Sequence, residues 1–121
     1  MTEKNIRNAS ITDEQIKLYG TVFPLMKSIY SEIKDFSKKK QDDPVSLYKV
    51  KVINRLLVKA KEILKEELSI DYLDILEEDD LPSMGDAVLI VSQYISALEK
   101  FHLDHFHRDD DWSFGVSGRW E

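Results

Sequence analysis

Apolar residues recur three or four positions apart along most of the chain, a spacing typical of one face of an α-helix. A first long helix is predicted from Thr12, because Thr12 and Gln15 have the spacing of a capping box. Pro24 lies inside this stretch and removes one backbone hydrogen-bond donor, so we expect a kink or a short break between Gly20 and Phe23. The apolar face of this helix comprises Ile16, Tyr19, Phe23, Met26, Tyr30 and Ile33.

A second long helix is predicted after the charged connector at residues 38–43. Asp43 and Pro44 suit an N-cap and a first helical residue, and the apolar pattern continues to about Leu68. A short helical turn should follow and end in the acidic run Glu77–Asp80. The apolar face of the second helix comprises Val52, Ile53, Leu56, Leu57, Ala60, Ile63 and Leu64, and the short turn is built on Tyr72, Leu73, Ile75 and Leu76.

A last long helix is predicted from Ser83, because Ser83 and Asp86 have the residue types and spacing of a helix cap. Its buried face comprises Met84, Val88, Val91, Tyr94, Ile95, Leu98, Phe101 and Phe106. Three long helices and one short helix with brief connectors predict an all-α fold, an antiparallel helical bundle with an extended C-terminal tail. We divide the chain into a flexible N-terminal arm (1–11), a single helical-bundle domain (12–107) and an acidic, aromatic tail (108–121).

The composition fits one small globular domain and excludes several kinds of site. The 121 residues are 42% hydrophobic and 33% charged, and four glycines with three prolines are too few for the turns of an all-β fold. The absence of cysteine excludes a disulfide scaffold, a thiolate zinc site and a cysteine nucleophile. The first ten residues lack the apolar core of a secretory signal, and the apolar run Ala87–Val91 is too short to cross a bilayer. We therefore expect a cytoplasmic protein.

Charge is segregated along the chain, although the net charge is only −6. Residues 34–65 contain ten Lys/Arg and four Asp/Glu, whereas residues 66–121 contain three basic and fifteen acidic residues. Basic residues repeat every fourth position in the second helix, and this stripe would either face acidic groups of the same protein or bind phosphate or nucleic acid. The acidic last third would steer basic partners toward the protein.

All three histidines lie between residues 102 and 107. Glu99 precedes His102 by three positions, a spacing found in carboxylate-bridged di-metal bundles, but the chain has no second copy of this pair. His102 and His105 with a carboxylate remain a weaker alternative, a mononuclear metal site. We favour structural histidines near a helix C-terminus, with no cofactor.

The tail contains both tryptophans of the protein. Trp112, Phe114 and Val116 alternate with small polar residues, which indicates an extended segment, and the run Asp109–Asp111 precedes them. Two interpretations remain open. The tail either folds back and covers one end of the bundle, or it is a docking segment with aromatic anchors beside acidic groups.

The sequence contains no recognisable catalytic arrangement, because it has neither a nucleophile elbow nor a phosphate-binding glycine loop. We predict a non-enzymatic protein-binding module, specifically an immunity- or antitoxin-type inhibitor that neutralises a basic toxin or nuclease through an acidic surface. Its partner-binding residues would be Asp109, Asp110, Asp111, Trp112, Phe114, Trp120, Glu77, Glu78, Asp79 and Asp80. The alternative is a nucleic-acid-associated subunit that uses Lys38, Lys39, Lys40, Lys51, Arg55 and Lys59. We expect no membrane partner, and the apolar faces would suit a homodimer as well as a monomer.

Overall fold

Helices account for most of the computed structural model, which describes residues 11–108 and 118–120. The elements in chain order are α1 (Asp13–Lys40), α2 (Leu47–Ile63), a 3-10 helix (Leu68–Tyr72), α3 (Met84–His105), β1 (Phe106–Arg108) and β2 (Gly118–Trp120). The three long helices pack against one another around one core, which confirms the predicted all-α bundle. In the described part of the chain, no helix is long and apolar enough to cross a membrane.

The first helix begins with the predicted capping box. Gln15 N donates to the Thr12 hydroxyl (3.0 Å), and Thr12 N donates to Gln15 Oε1 (2.9 Å). The helix continues without interruption through Pro24, so the short break that we considered does not occur. Val22 and Met26, on either side of the proline, are both buried, and this packing holds both sides of the helix against the core.

The second helix begins later than predicted, because its N-cap is Ser46 and not Asp43. The chain before Ser46 pairs instead with the residues that precede α3: Val45 N donates to Pro82 O (2.8 Å), and Met84 N donates to Asp43 O (2.8 Å). The Val45 side chain is fully buried. Tertiary pairing therefore overrides the local capping preference of Asp43. The helix also ends earlier than predicted, at Ile63.

Two contacts at opposite ends of the bundle fix the directions of the helices. Near the start of α1, Gln15 Nε2 donates to Ile63 O at the end of α2 (2.9 Å). At the other end, Gly85 N in the first turn of α3 donates to Gln41 O just beyond α1 (3.0 Å). Both α2 and α3 thus run antiparallel to α1, and they run in the same direction as each other. The connection from the end of α2 to the start of α3 must therefore run the length of the bundle.

Residues 73–83, which we call the return segment, form this connection and contain no helix before Ser83. The eleven residues can reach at most about 40 Å when extended. This is enough to pass the 17 residues of α2, which rise about 26 Å. The predicted short helix is present but lies earlier than the residues on which it was predicted to be built: it is the 3-10 helix Leu68–Tyr72, and Leu73 is extended. The side chains of Leu73 and Leu76 are buried, and that of Ile75 is exposed.

The last helix has the predicted cap, in which Asp86 N donates to the Ser83 hydroxyl (3.1 Å). It ends at His105, so the prediction that Phe106 belongs to its buried face is wrong. Phe106 begins β1, which pairs antiparallel with β2 so that Phe106 lies opposite Trp120. The chain returns to the end of α3 through this two-stranded pairing.

Candidate protein-binding surface

The return segment is fastened to the bundle by side chains from both α2 and α3. Lys61 Nζ donates to Leu73 O (2.7 Å), and the Tyr94 hydroxyl donates to Asp74 O (2.9 Å). These bonds occupy main-chain oxygens that would otherwise need water. The segment therefore has a fixed position on the surface, although it contains no regular secondary structure.

Asn54 forms the most buried of these attachments. Its Nδ2 donates to Leu76 O (2.9 Å), and Leu76 N donates to its Oδ1 (2.8 Å), so one amide satisfies both main-chain groups of Leu76. Asn54 is only 7% exposed, and the Leu76 side chain is 2% exposed. A buried amide with both of its polar atoms satisfied specifies one register of the segment against α2.

The Tyr94 hydroxyl is held in its donor form. Burial and, to a smaller extent, the negative charge of Asp74 raise the pKa of Tyr94 from 10.0 to about 12. At neutral pH the phenol keeps its proton and can donate it to the Asp74 carbonyl. The side chain of Tyr94 belongs to the core, so this contact ties the exposed segment to the centre of α3.

The fastened segment displays the acidic run Glu77–Asp80, in which all four side chains are exposed. Beside it lies an open groove of about 540 Å³ between the return segment and the first turns of α3. Three apolar side chains in the groove lining are exposed: Ile75 by 46%, Leu81 by 36% and Leu89 by 58%. The lining also includes the carboxylates of Glu77, Asp80 and Asp86. We call these three apolar and three acidic residues the acidic groove.

One ion pair connects the acidic run to the basic stripe of α2. Lys51 Nζ lies 3.7 Å from Glu78 Oε1, with the two side chains 59% and 46% exposed. A pair this exposed contributes little to stability, because water screens it. The expectation that the stripe faces acidic groups of the same protein thus holds for Lys51.

The six basic residues of the predicted nucleic-acid site lie on two helices, with Lys38–Lys40 in the last turn of α1 and the others along α2. All six side chains are exposed. Several have an acidic neighbour on their own helix or connector: Lys38 near Asp35 (3.7 Å), Lys40 near Asp43 (3.9 Å) and Lys59 near Glu62 (3.7 Å). These contacts reduce the positive potential that the stripe would present to a phosphate backbone.

The two described histidines of the third helix lie among aromatic rings at the opposite end of the bundle. His102 stacks between Tyr19 and Phe106, with ring centroids 5.6 and 4.7 Å away. His105 Nε2 lies 3.1 Å from Glu67 Oε2, and both side chains are largely buried. Burial, and secondarily the charge of Glu99, raises the pKa of Tyr19. Within residues 11–106, no three His, Asp or Glu side chains are grouped closely enough to hold a metal ion.

The predicted tail site falls mostly outside the described residues. Asp109–Asp111, Trp112 and Phe114 all lie there, and Trp120 is placed by its backbone in β2. The structure therefore brings together Glu77–Asp80 and the groove beside them, but it does not relate them to the tail anchors.

Sequence reasoning missed Asn54 and the exposed apolar residues of the acidic groove. Asn54 could have been noticed, because it is a polar residue on the apolar arc of α2, between Ile53 and Leu57. A polar side chain at such a position indicates that it hydrogen-bonds to a buried group. The groove residues gave no such sign, because Ile75, Leu81 and Leu89 are six and eight residues apart, which is not the three- or four-residue spacing of one helical face.

Comparisons with protein-family models, with curated proteins and with solved structures each found no match. The functional interpretation of this chain therefore depends on the chemistry of its own surfaces.

Proposed function

We propose that this protein is a non-enzymatic binding module that captures a basic protein through the acidic groove and the adjoining run Glu77–Asp80. The observation that carries the proposal is the buried fastening of the return segment by Asn54, Lys61 and Tyr94. The main chain is held on both sides of the acidic run, at Leu76 and at Pro82, so it loses little conformational freedom when a partner binds the carboxylates.

Charge and exposed apolar side chains occur together on this surface, as they do in specific protein interfaces. The carboxylates would accelerate encounter with a basic protein and orient it. Exposed leucine and isoleucine side chains would provide the desolvated centre that an ion-pair rim alone lacks. Neutralisation of a basic toxin or nuclease, as by an immunity protein or antitoxin, is the function that this combination favours.

The test is a growth assay followed by purification. Each neighbouring gene is expressed alone in a naive host, and a gene whose product arrests growth is then expressed together with this protein. We expect growth to be restored and a stoichiometric complex with a basic product to be recovered. Growth arrest that this protein does not relieve, or recovery of nucleic acid in place of a basic protein, would contradict the proposal.

A charge-neutral variant identifies the surface. Glu77→Gln, Glu78→Gln, Asp79→Asn and Asp80→Asn together should weaken the complex by about ten- to a hundredfold and lessen its salt dependence. A matched control neutralises exposed acids on α1, at Asp13, Glu14, Glu32 and Asp35, and should leave the affinity nearly unchanged.

A further inference from the structure

The acidic groove lies between two elements that differ in how they can accept a partner. One wall is the return segment from Ile75 to Ser83, and the other is the outer face of α3 from Asp86 to Ile90. The return segment cannot readily extend into a β-ladder with a partner strand, because Leu76 N, Leu76 O and Pro82 O of this wall already bond to other parts of the protein, and Pro82 has no N–H to donate.

The outer face of α3 is free of charge along most of its length. No charged residue occurs between Asp86 and Glu99, although a third of all residues in the chain are charged. The exposed positions of this stretch include Leu89, Gln93 and Ser96, spaced four and three apart as on one stripe of a helix. Side chains of this kind allow a second helix to approach α3 closely.

The charges are placed at one end of this neutral stripe. Glu77 and Asp80 on the return segment and Asp86 in the first turn of α3 line the same groove as the exposed side chain of Leu89. An occupant must therefore carry apolar residues for the floor of the groove and cationic residues for its rim. A membrane surface or a nucleic acid would be repelled, because both are anionic.

We propose that the acidic groove binds a cationic amphipathic helix of the partner, seated against Leu89 and Ile75, with its Lys or Arg residues on Glu77, Asp80 and Asp86. This inference rests on the proposed function for the existence of a basic partner, and it adds the form in which that partner is recognised. Apolar anchors at helical spacing enter the groove while the cationic flank of the same helix meets its rim.

The experiment uses two synthetic peptides of about 18 residues, long enough for several helical turns. One is a Leu/Lys peptide with leucines at helical spacing, and the other has the same number of lysines with serine in place of leucine. Titration of the 121-residue chain at about 150 mM salt, where the Debye length is about 8 Å, should show binding of the first peptide at least about tenfold tighter than the second.

Two leucine variants on the same helix make the test specific. Leu89→Ser should weaken binding of the Leu/Lys peptide about tenfold, as loss of an apolar anchor does. Leu103→Ser is the matched control, since Leu103 is also exposed and lies 14 residues further along α3, about 21 Å away. It should leave the affinity unchanged. Circular dichroism of both variants, with unchanged helix content, verifies that each is folded.

Equal binding of the two peptides, or equal effects of the two leucine variants, would overturn the helix-in-groove inference. A different result would contradict the proposed function, namely that no basic partner is neutralised by this protein. If such a partner is captured and the charge-neutral variant loses it while Leu89→Ser does not, the function stands and the amphipathic helix is excluded.

Discussion

The acidic return segment and the basic stripe of α2 have opposite charges, and they also differ in how they are built. The return segment is non-helical, yet buried or half-buried side chains of Asn54, Lys61 and Tyr94 hold its main chain. The stripe is part of a regular helix, and its Lys51 and Lys59 side chains are exposed, as are the glutamates with which they form ion pairs.

This difference shows what charge counting alone leaves out. Both surfaces are equally visible as runs of like charge in the sequence, but among the described residues 11–106 the hydrogen bonds to buried side chains hold the acidic surface. In residues 11–106, no buried side-chain nitrogen or oxygen lacks a hydrogen-bond partner. The network is therefore complete where it supports the acidic surface, and the following substitutions measure how strongly it does so.

The largest effect is expected for Asn54→Ala. It leaves the buried N–H and C=O of Leu76 without partners, and should lower the free energy of unfolding by about 3 kcal/mol. Urea denaturation measures this difference. Arg55→Ala, the adjacent position on the exposed stripe, is the control and should change stability by less than about 0.5 kcal/mol. Similar losses for the two variants would mean that the return segment is not fastened as described.

Lys61→Met should have the next largest effect. The substitution keeps the length of the side chain and its apolar packing but removes the donor to Leu73 O. Because a hydrogen bond from a charged donor is involved, we expect a loss of about 1.5 kcal/mol in urea denaturation. Lys65→Met, at an exposed position four residues further along the chain, should be neutral. A neutral result for Lys61→Met as well would contradict the contact.

Tyr94→Phe should cost about 1 kcal/mol at neutral pH, because one hydrogen bond to Asp74 O is lost. The folded protein raises the pKa of Tyr94 from 10.0 to about 12. The protonated phenol is thus favoured by folding, and its contribution is fully present below pH 10.0 and is lost as the pH rises toward about 12. Urea denaturation at a series of pH values should show a shallower alkaline loss for Tyr94→Phe than for the wild type. Parallel curves would contradict the assignment.

The smallest effect is expected for Lys51→Ala. Its ion pair with Glu78 is exposed, so the free energy of unfolding should change by about 0.5 kcal/mol or less and the change should vanish at high salt. Comparison of low-salt and high-salt denaturation curves measures it. A loss as large as that of Asn54→Ala would show that the stripe and the acidic run stabilise each other.

Local patterns predicted the parts of the fold that depend on neighbours in the sequence. The capping residues Thr12 and Ser83 and the apolar arcs of the long helices are of this kind, since partners three or four residues apart determine them. Asp43 has equally good local features, but pairing with the residues before Met84 excludes it as a cap.

The return segment could not be predicted, because its position depends on contacts between distant residues. Asn54 and Leu76 are separated by 22 positions, and the choice of an extended chain over a helical turn at Leu73–Leu76 is made by that contact. The acidic run of the candidate site was recognised from its charge, whereas its apolar groove was not. Ile75, Leu81 and Leu89 are six and eight residues apart, and they line one groove because the chain turns from the return segment into α3.

The central claim is that the acidic surface, and not the basic stripe, binds the partner. The most direct measurement compares the affinity of the basic partner for two variants, one with Glu77–Asp80 neutralised and one with Lys51, Arg55 and Lys59 changed to glutamine. We predict a loss of about tenfold or more for the first variant, and an unchanged or slightly improved affinity for the second. Loss of binding in the second variant with retention in the first would contradict the account.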